Sequence, residues 1–176
     1  MRKLKNSELN RISAEEYKTA DKTPVVIVLD NVRSLYNVGS VFRTADAFRV
    51  EQICLCGITG KPPHPEIHKS ALGATDAVDW IHYSETIDCI KVLKLKGYTI
   101  VAIEQAEGSI DLQNFKPDTE KKYAFIFGNE IKGVSDDIME SLDMCIEIPQ
   151  FGSKHSFNIA VSTGIVMWHY FNNQTK

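Results

Sequence analysis

Five consecutive residues, Val25-Val26-Ile27-Val28-Leu29, are apolar, and the first four are β-branched. A strand with one wet face alternates apolar with polar residues. An unbroken run is instead read as a strand covered on both faces, as in a parallel sheet between helical layers. The rest of the chain repeats the unit. Gln52 to Gly57, Tyr98 to Ile103, Lys122 to Phe127 and Cys145 to Ile148 predict four more strands. Between them Leu35, Val38, Val41, Phe42, Ala45 and Phe48 form one helical stripe, Ile87 to Lys96 an amphipathic helix, and Val134 to Leu142 a short one. A last helix is expected from about Ser156, a natural N-cap, to Phe171. Residues 58–75 hold three prolines and two glycines and read as a long loop with one turn at most. Ser13-Ala14-Glu15-Glu16 has the form of a capping box that starts a helix ending near Ala20. The expected architecture is an α/β domain over residues 25–176, a mostly parallel sheet with helices on both faces, behind a helical extension at residues 1–24.

At 176 residues the chain has room for one ordinary domain. No apolar run approaches the roughly 20 residues that a membrane span needs, and the basic first residues lead into no apolar segment. Cys54, Cys56, Cys89 and Cys145 form no C-x-x-C pair, so they are read as small core residues of a cytoplasmic protein. The net charge of −3 argues against a protein that holds nucleic acid by bulk electrostatics alone, so any such partner must be held locally.

In an open parallel sheet the ligand sits beyond the carboxyl ends of the strands, so the residues after Leu29, Ile103, Phe127 and Ile148 are the ones to inspect. After the first strand, Asn37 and Arg43 lie six apart near the start of one helix. An Arg there can fork onto a phosphate, or it can be a solvated surface residue with Asn37 a cap. Gly128-Asn129-Glu130-Ile131-Lys132-Gly133 joins a buried strand to a helix. Its Lys precedes the second Gly, the wrong order for a nucleotide triphosphate loop. What remains is a turn whose backbone can approach a flat ligand, or a plain connection. In the third block, Ile148-Pro149 leads to Ser156-Phe157-Asn158-Ile159-Ala160; capping accounts for Ser156 and leaves Asn158 unexplained. The helix behind it is apolar on more than one face, which suggests burial against a second subunit as well as its own sheet. His64 and His68 are four apart but separated by Pro65, and no metal site is expected.

Together, Asn37-x-Gly39-x-x-x-Arg43-Thr44-Ala45, Gly128-x-Glu130-x-x-Gly133 and Ile148-Pro149 with Ser156-Phe157-Asn158-Ile159-Ala160 resemble the three motifs of the SpoU (TrmH-type) branch of the SPOUT RNA methyltransferases. Lys69 to Ala74 is similar to the family segment ahead of the third strand. The resemblance runs from about Val25 to Phe171. It implies a SPOUT domain with a C-terminal trefoil knot, which sequence physics alone would not suggest. It also implies a homodimer that binds S-adenosylmethionine and methylates a ribose 2′-hydroxyl of tRNA or rRNA. By that analogy Ile103, Gly128, Ile148 and Ser156 hold the cofactor, and Arg43, Asn37, Glu130 and Asn158 face the target ribose. A guanidinium makes a poor base, so Arg43 is expected to hold the adjacent phosphate and stabilise the developing alkoxide while the phosphate or a water takes the proton.

Gln150 and Phe157 depart from the usual Met and Leu of the family. With 24 residues ahead of Val25, RNA recognition is expected to fall on the domain itself, through Lys61, His64, His68, Lys69, Lys132, Lys154 and His155. The rival readings are a non-catalytic RNA-binding or adaptor protein of the same fold, and methylation of a tRNA base.

Overall fold

The structure is a computed structural model and describes residues 1–174. A 3-10 turn at Asn6–Glu8 and α1 (Ala14–Thr19) lead into β1 (Thr23–Asp30), α2 (Leu35–Ala47) and β2 (Val50–Cys56). Then come α3 (Pro65–Ala71), α4 (Ala74–Ala77), β3 (Trp80–Tyr83), α5 (Thr86–Leu95) and β4 (Tyr98–Ile103). The chain continues through β5 (Ile110–Asp111), β6 (Lys122–Phe127), β7 (Met144–Glu147) and α6 (Ile159–Gln174). The strands form one seven-stranded sheet in the order β3-β2-β1-β6-β4-β7-β5, and each pairing is parallel.

The apolar run of β1 explains the layering. Val25, Ile27 and Leu29 pack with residues of α2, α3 and α6, while Val26 and Val28 pack with α5 and the turn at Asp136–Ser141. Helices therefore cover both faces, as a continuous apolar strand requires. The extension docks on the first layer: Tyr17 is buried, and its hydroxyl donates to the Val50 carbonyl at 3.1 Å. Cys54, Cys56 and Cys89 cluster in the second layer, where contact with the other two thiols and burial push the Cys89 thiol up and keep it neutral.

Several elements differ from expectation. Residues 58–75 contain α3, because Pro65 stands in the first turn, where a missing amide costs nothing, and His64 Nδ1 accepts from the Glu66 amide at 3.2 Å. The edge strands β3 and β5 carry little apolar signal, since β3 is only partly buried and β5 has two residues. The helix expected at Val134 to Leu142 is a 3-10 segment over Asp136–Ser141. Helix α6 begins at Ile159 rather than Ser156, because the Asn158 side chain accepts from the Ala160 amide at 2.9 Å and takes the capping place given to Ser156. Among the described residues no helix is long and apolar enough to cross a membrane.

Candidate active site

The last strands are inserted into the sheet: β6 lies between β1 and β4, and β7 between β4 and β5. Ile103, Phe127 and Ile148 are consequently brought side by side at the carboxyl ends of β4, β6 and β7. They form the apolar wall of a cavity of about 490 Å³. The four residues expected to bind cofactor, Ile103, Gly128, Ile148 and Ser156, all line it, as do Glu130 and Asn158. Gln150 and Phe157, the two departures, lie on the lining as well.

The turn after β6 closes on itself. Asn129 and Gly133 exchange backbone hydrogen bonds at 2.8 and 2.9 Å, and Asn129 Oδ1 accepts from the amides of Ile131 and Lys132. Gly128 is obligatory here, since a Cβ would come within 2.1 Å of the Gly133 carbonyl carbon, which is backbone and cannot step aside. Glu104, one residue past β4, fixes the far side of the turn: its carboxylate accepts from the amides of Gln105 at 2.8 Å and Val134 at 3.0 Å. Gln105 Nε2 donates to the His155 carbonyl at 2.8 Å and tethers the otherwise exposed segment before α6.

Glu130, Asn37 and Asn158 form one chain of contacts. The Glu130 carboxylate accepts from the Arg33 and Ser34 amides, both at 2.9 Å, and from Asn37 Nδ2 at 3.1 Å. Asn37 Oδ1 in turn accepts from Asn158 Nδ2 at 3.1 Å. All three motifs thus meet in a single clasp. Burial pushes the Glu130 carboxyl up, but the Arg33 and Ser34 amides, its own amide and Asn37 together hold it below the usual carboxylate range.

Arg43 is not part of the clasp. It sits on the exposed side of α2, lines neither this cavity nor the one described below, and makes no hydrogen bond or ion pair among the described residues. Of the expected RNA contacts, Lys61, His68, Lys69, Lys132, Lys154 and His155 are exposed, while His64 is committed to capping α3. Lys132 and His155 also line the cavity. Among the described residues no group of three or more His, Cys, Asp or Glu is placed to hold a metal ion.

Sequence reasoning missed Glu104, Gln105 and the buried Asp30. Asp30 Oδ1 accepts from Thr86 Oγ1 at 2.6 Å and Asn31 Nδ2 at 2.9 Å, and Oδ2 from the Ser135 amide at 2.8 Å. A charged residue at the end of an apolar strand was the available signal.

The chain is similar to known proteins over most of its length. It is 29% identical over 160 residues to the 23S rRNA (guanosine-2'-O-)-methyltransferase RlmB of Neisseria meningitidis, covering 90% of this chain and 62% of that protein. The chain spans about three fifths of the length of the first curated relatives it matches. Among solved structures, the A. aeolicus TrmH/SpoU tRNA modifying enzyme superposes with a TM-score of 0.80 at 25% identity, over 92% of this chain and 80% of that one. The AdoMet-bound rRNA methyltransferase of Sinorhizobium meliloti gives 0.78 at 28% identity, over 87% and 58%. The SpoU rRNA Methylase family matches residues 24–168, and the chain belongs to that family.

Proposed function

We propose that this chain transfers a methyl group from S-adenosylmethionine to a ribose 2′-hydroxyl of tRNA or rRNA, and that it works in the cytosol as a homodimer. The observation that carries the reading is the clasp, which ties three motifs far apart in sequence to the rim of one cavity. Support also comes from the names of the relatives: one is an rRNA guanosine-2'-O-methyltransferase, and another is a structure with AdoMet bound. The reading has the C-terminal segment threaded through a loop, as the resemblance implies. Insertion of β6 and β7 into the sheet and the Gln105 tether to His155 are consistent with that path.

The residues suit the cofactor. A volume of about 490 Å³ is in the range of small-molecule sites. Ile103, Ile148 and the bare backbone of Gly128 offer a flat apolar slot with amide and carbonyl edges for an adenine. Glu104 and Glu130 on the same lining suit a positively charged ligand. When bound, the cofactor supplies an electrophilic methyl carbon on a sulfonium sulfur. The protein's part is alignment: the clasp holds Asn158 on the cavity lining with Asn37 bonded to it, and the pair is assigned to orienting the sugar. Arg43 lies outside the cavity lining, and its five donors, without a partner in the described chain, are assigned to the adjacent RNA phosphate and to the alkoxide as it forms, the 2′-hydroxyl proton passing to that phosphate or to a water.

Incubation of the protein with labelled cofactor and total RNA, followed by nucleoside mass mapping, tests the reading. Ribose-methylated nucleosides are expected. A base-methylated product moves the reaction to the other acceptor, and intact donor binding without transfer favours an adaptor. Arg43→Ala should bind donor normally by calorimetry and lose turnover by about 100-fold or more; unimpaired turnover removes Arg43 from the mechanism.

A further inference from the structure

The second cavity, of about 640 Å³, lies on the other side of the turn after β6 and shares Asn129, Ile131, Lys132 and Gly133 with the first. Its remaining walls come from the loop after β1 (Asn31, Arg33), the loop after β2 (Ile58), and Val134, Ser135 and Asp136. We propose that this cavity receives one unpaired nucleotide of the RNA substrate, its base against Ile58 and Ile131 and its phosphate on Arg33 and Lys132. The proposal rests on the reading of the chain as an RNA methyltransferase and adds the place where the RNA enters.

Three observations converge on it. First, the walls are tied together. Asp30 is fully buried, and its carboxylate joins the loop after β1 to Ser135, while Asn31 Oδ1 accepts from the Ile58 amide at 3.2 Å. A buried charge is tolerated only when hydrogen-bonded, and these bonds hold three loops in one concave shape. Nothing in the donor cavity uses them. Second, the rim chemistry is that of a nucleotide site. Ile58 and Ile131 are 67% and 77% exposed, so two apolar surfaces stand open beside Arg33 and Lys132. Neither cation is in a salt bridge among the described residues. Asp136, the acidic side chain of the lining, can accept from an amino or imino group on the edge of a base. Third, the Arg33 backbone amide is fixed by Glu130, so its side chain starts from a held point. A duplex cannot enter a concave site of this size, whereas an unstacked nucleotide of a loop or end can.

The test uses the full chain and a single-stranded RNA 12-mer with a central 4-thiouridine. Irradiation should cross-link peptides that contain Ile58 or Ile131, and a duplexed form of the same RNA should cross-link at least fivefold less. The side chains of Arg33 and Ile58 line the second cavity and not the first, and Arg33→Ala keeps the backbone amide that Glu130 holds. Arg33→Ala and Ile58→Ala should each weaken RNA binding, read by anisotropy, about fivefold or more, with donor binding unchanged by calorimetry. Arg33→Ala should also lower the slope of log affinity against log salt by about 0.7, the contribution of one phosphate contact on a single strand. No binding of the 12-mer, cross-links confined to α3 or to residues 150–157, equal labelling by the duplex, or unchanged affinity in both variants overturns the subsite. Methylation of total RNA by the unaltered protein reports separately on the underlying reading. Transfer with unaffected variants removes the subsite alone, while binding at Ile58 without transfer removes the methyltransferase reading alone.

Discussion

The Glu130 carboxylate accepts from the Arg33 and Ser34 amides and from Asn37 Nδ2, and the loss of those bonds is measurable. Glu130→Gln puts an amide nitrogen where a carboxylate oxygen now accepts, and one of the Arg33, Ser34 or Asn37 donors then faces another donor. Hydrogen bonds to a charged group contribute about 1.5–3 kcal/mol. Because the side chain reaches solvent, screening reduces that, and a loss of about 1–2 kcal/mol is expected. In a chain of this size that is a fall of roughly 2–8 °C in Tm. The sign of the pH dependence follows from the lowered carboxyl. A depressed folded-state pKa contributes stability that is complete above the unfolded value of about 4.3 and fades as pH falls through the folded value. The gap between parent and Glu130→Gln should therefore narrow as a series of melts descends through that region. A gap that stays constant or widens toward acid contradicts the clasp. The sequence shows Gly128-x-Glu130 as a turn, but not what the carboxylate does, because its partners lie 97, 96 and 93 positions away. Glu104 is hidden for the same reason, its contact with the Val134 amide spanning 30 positions.

At the scale of elements, Gly39 decides how α2 and α3 pack. A Cβ there would come within 2.1 Å of Ser70 Oγ and 2.3 Å of the Ile67 carbonyl oxygen. Ser70 could rotate away, but the backbone oxygen cannot. Ala is preferred over Gly inside a helix by about 1 kcal/mol, whereas overpacking costs about 1–3 kcal/mol or more. Packing should win, so Gly39→Ala is expected to lower stability by about 1–2 kcal/mol in urea unfolding. A stabilised variant would mean that the helices separate freely. This Gly stands in the first motif, between Asn37 and Arg43, so spacing alone invites a catalytic reading for what is a steric one. The buried strands β1, β2, β4 and β6 are legible because two-sided burial writes itself as unbroken apolar runs. The α3 helix is not, since Pro62, Pro63 and Pro65 signal a loop unless the last is recognised as a first-turn residue. The start of α6 is misplaced because Ser156 and Asn158 are both good caps, and the choice between them depends on the contact of Asn158 with Asn37 across 121 positions.

At the scale of the whole molecule, helix α6 has more apolar surface than a single chain covers. Val166, Met167 and Tyr170 of α6 are buried in the chain's own core, yet Val161 and Trp168 are 49% and 60% exposed. Positions 161, 164 and 168 follow one another at helical spacing, so Gly164 lies on the same stripe as these two side chains. A helix that is apolar all round is buried all round, and a second copy of the chain is the covering that the proposed homodimer provides. Light scattering should give twice the chain mass, Tm should rise with protein concentration by mass action, and Trp168→Glu should give a monomer. Gly164 then separates an interface from a merely greasy surface. In the lone chain nothing lies within 4 Å of the Cβ that Ala would add, so Gly164→Ala should stabilise the Trp168→Glu monomer by about 1 kcal/mol. In the parent the added methyl meets the second copy, and the gain should vanish or reverse. An equal gain in both backgrounds places Gly164 outside the interface, and a parent that is monomeric at all concentrations overturns the dimer.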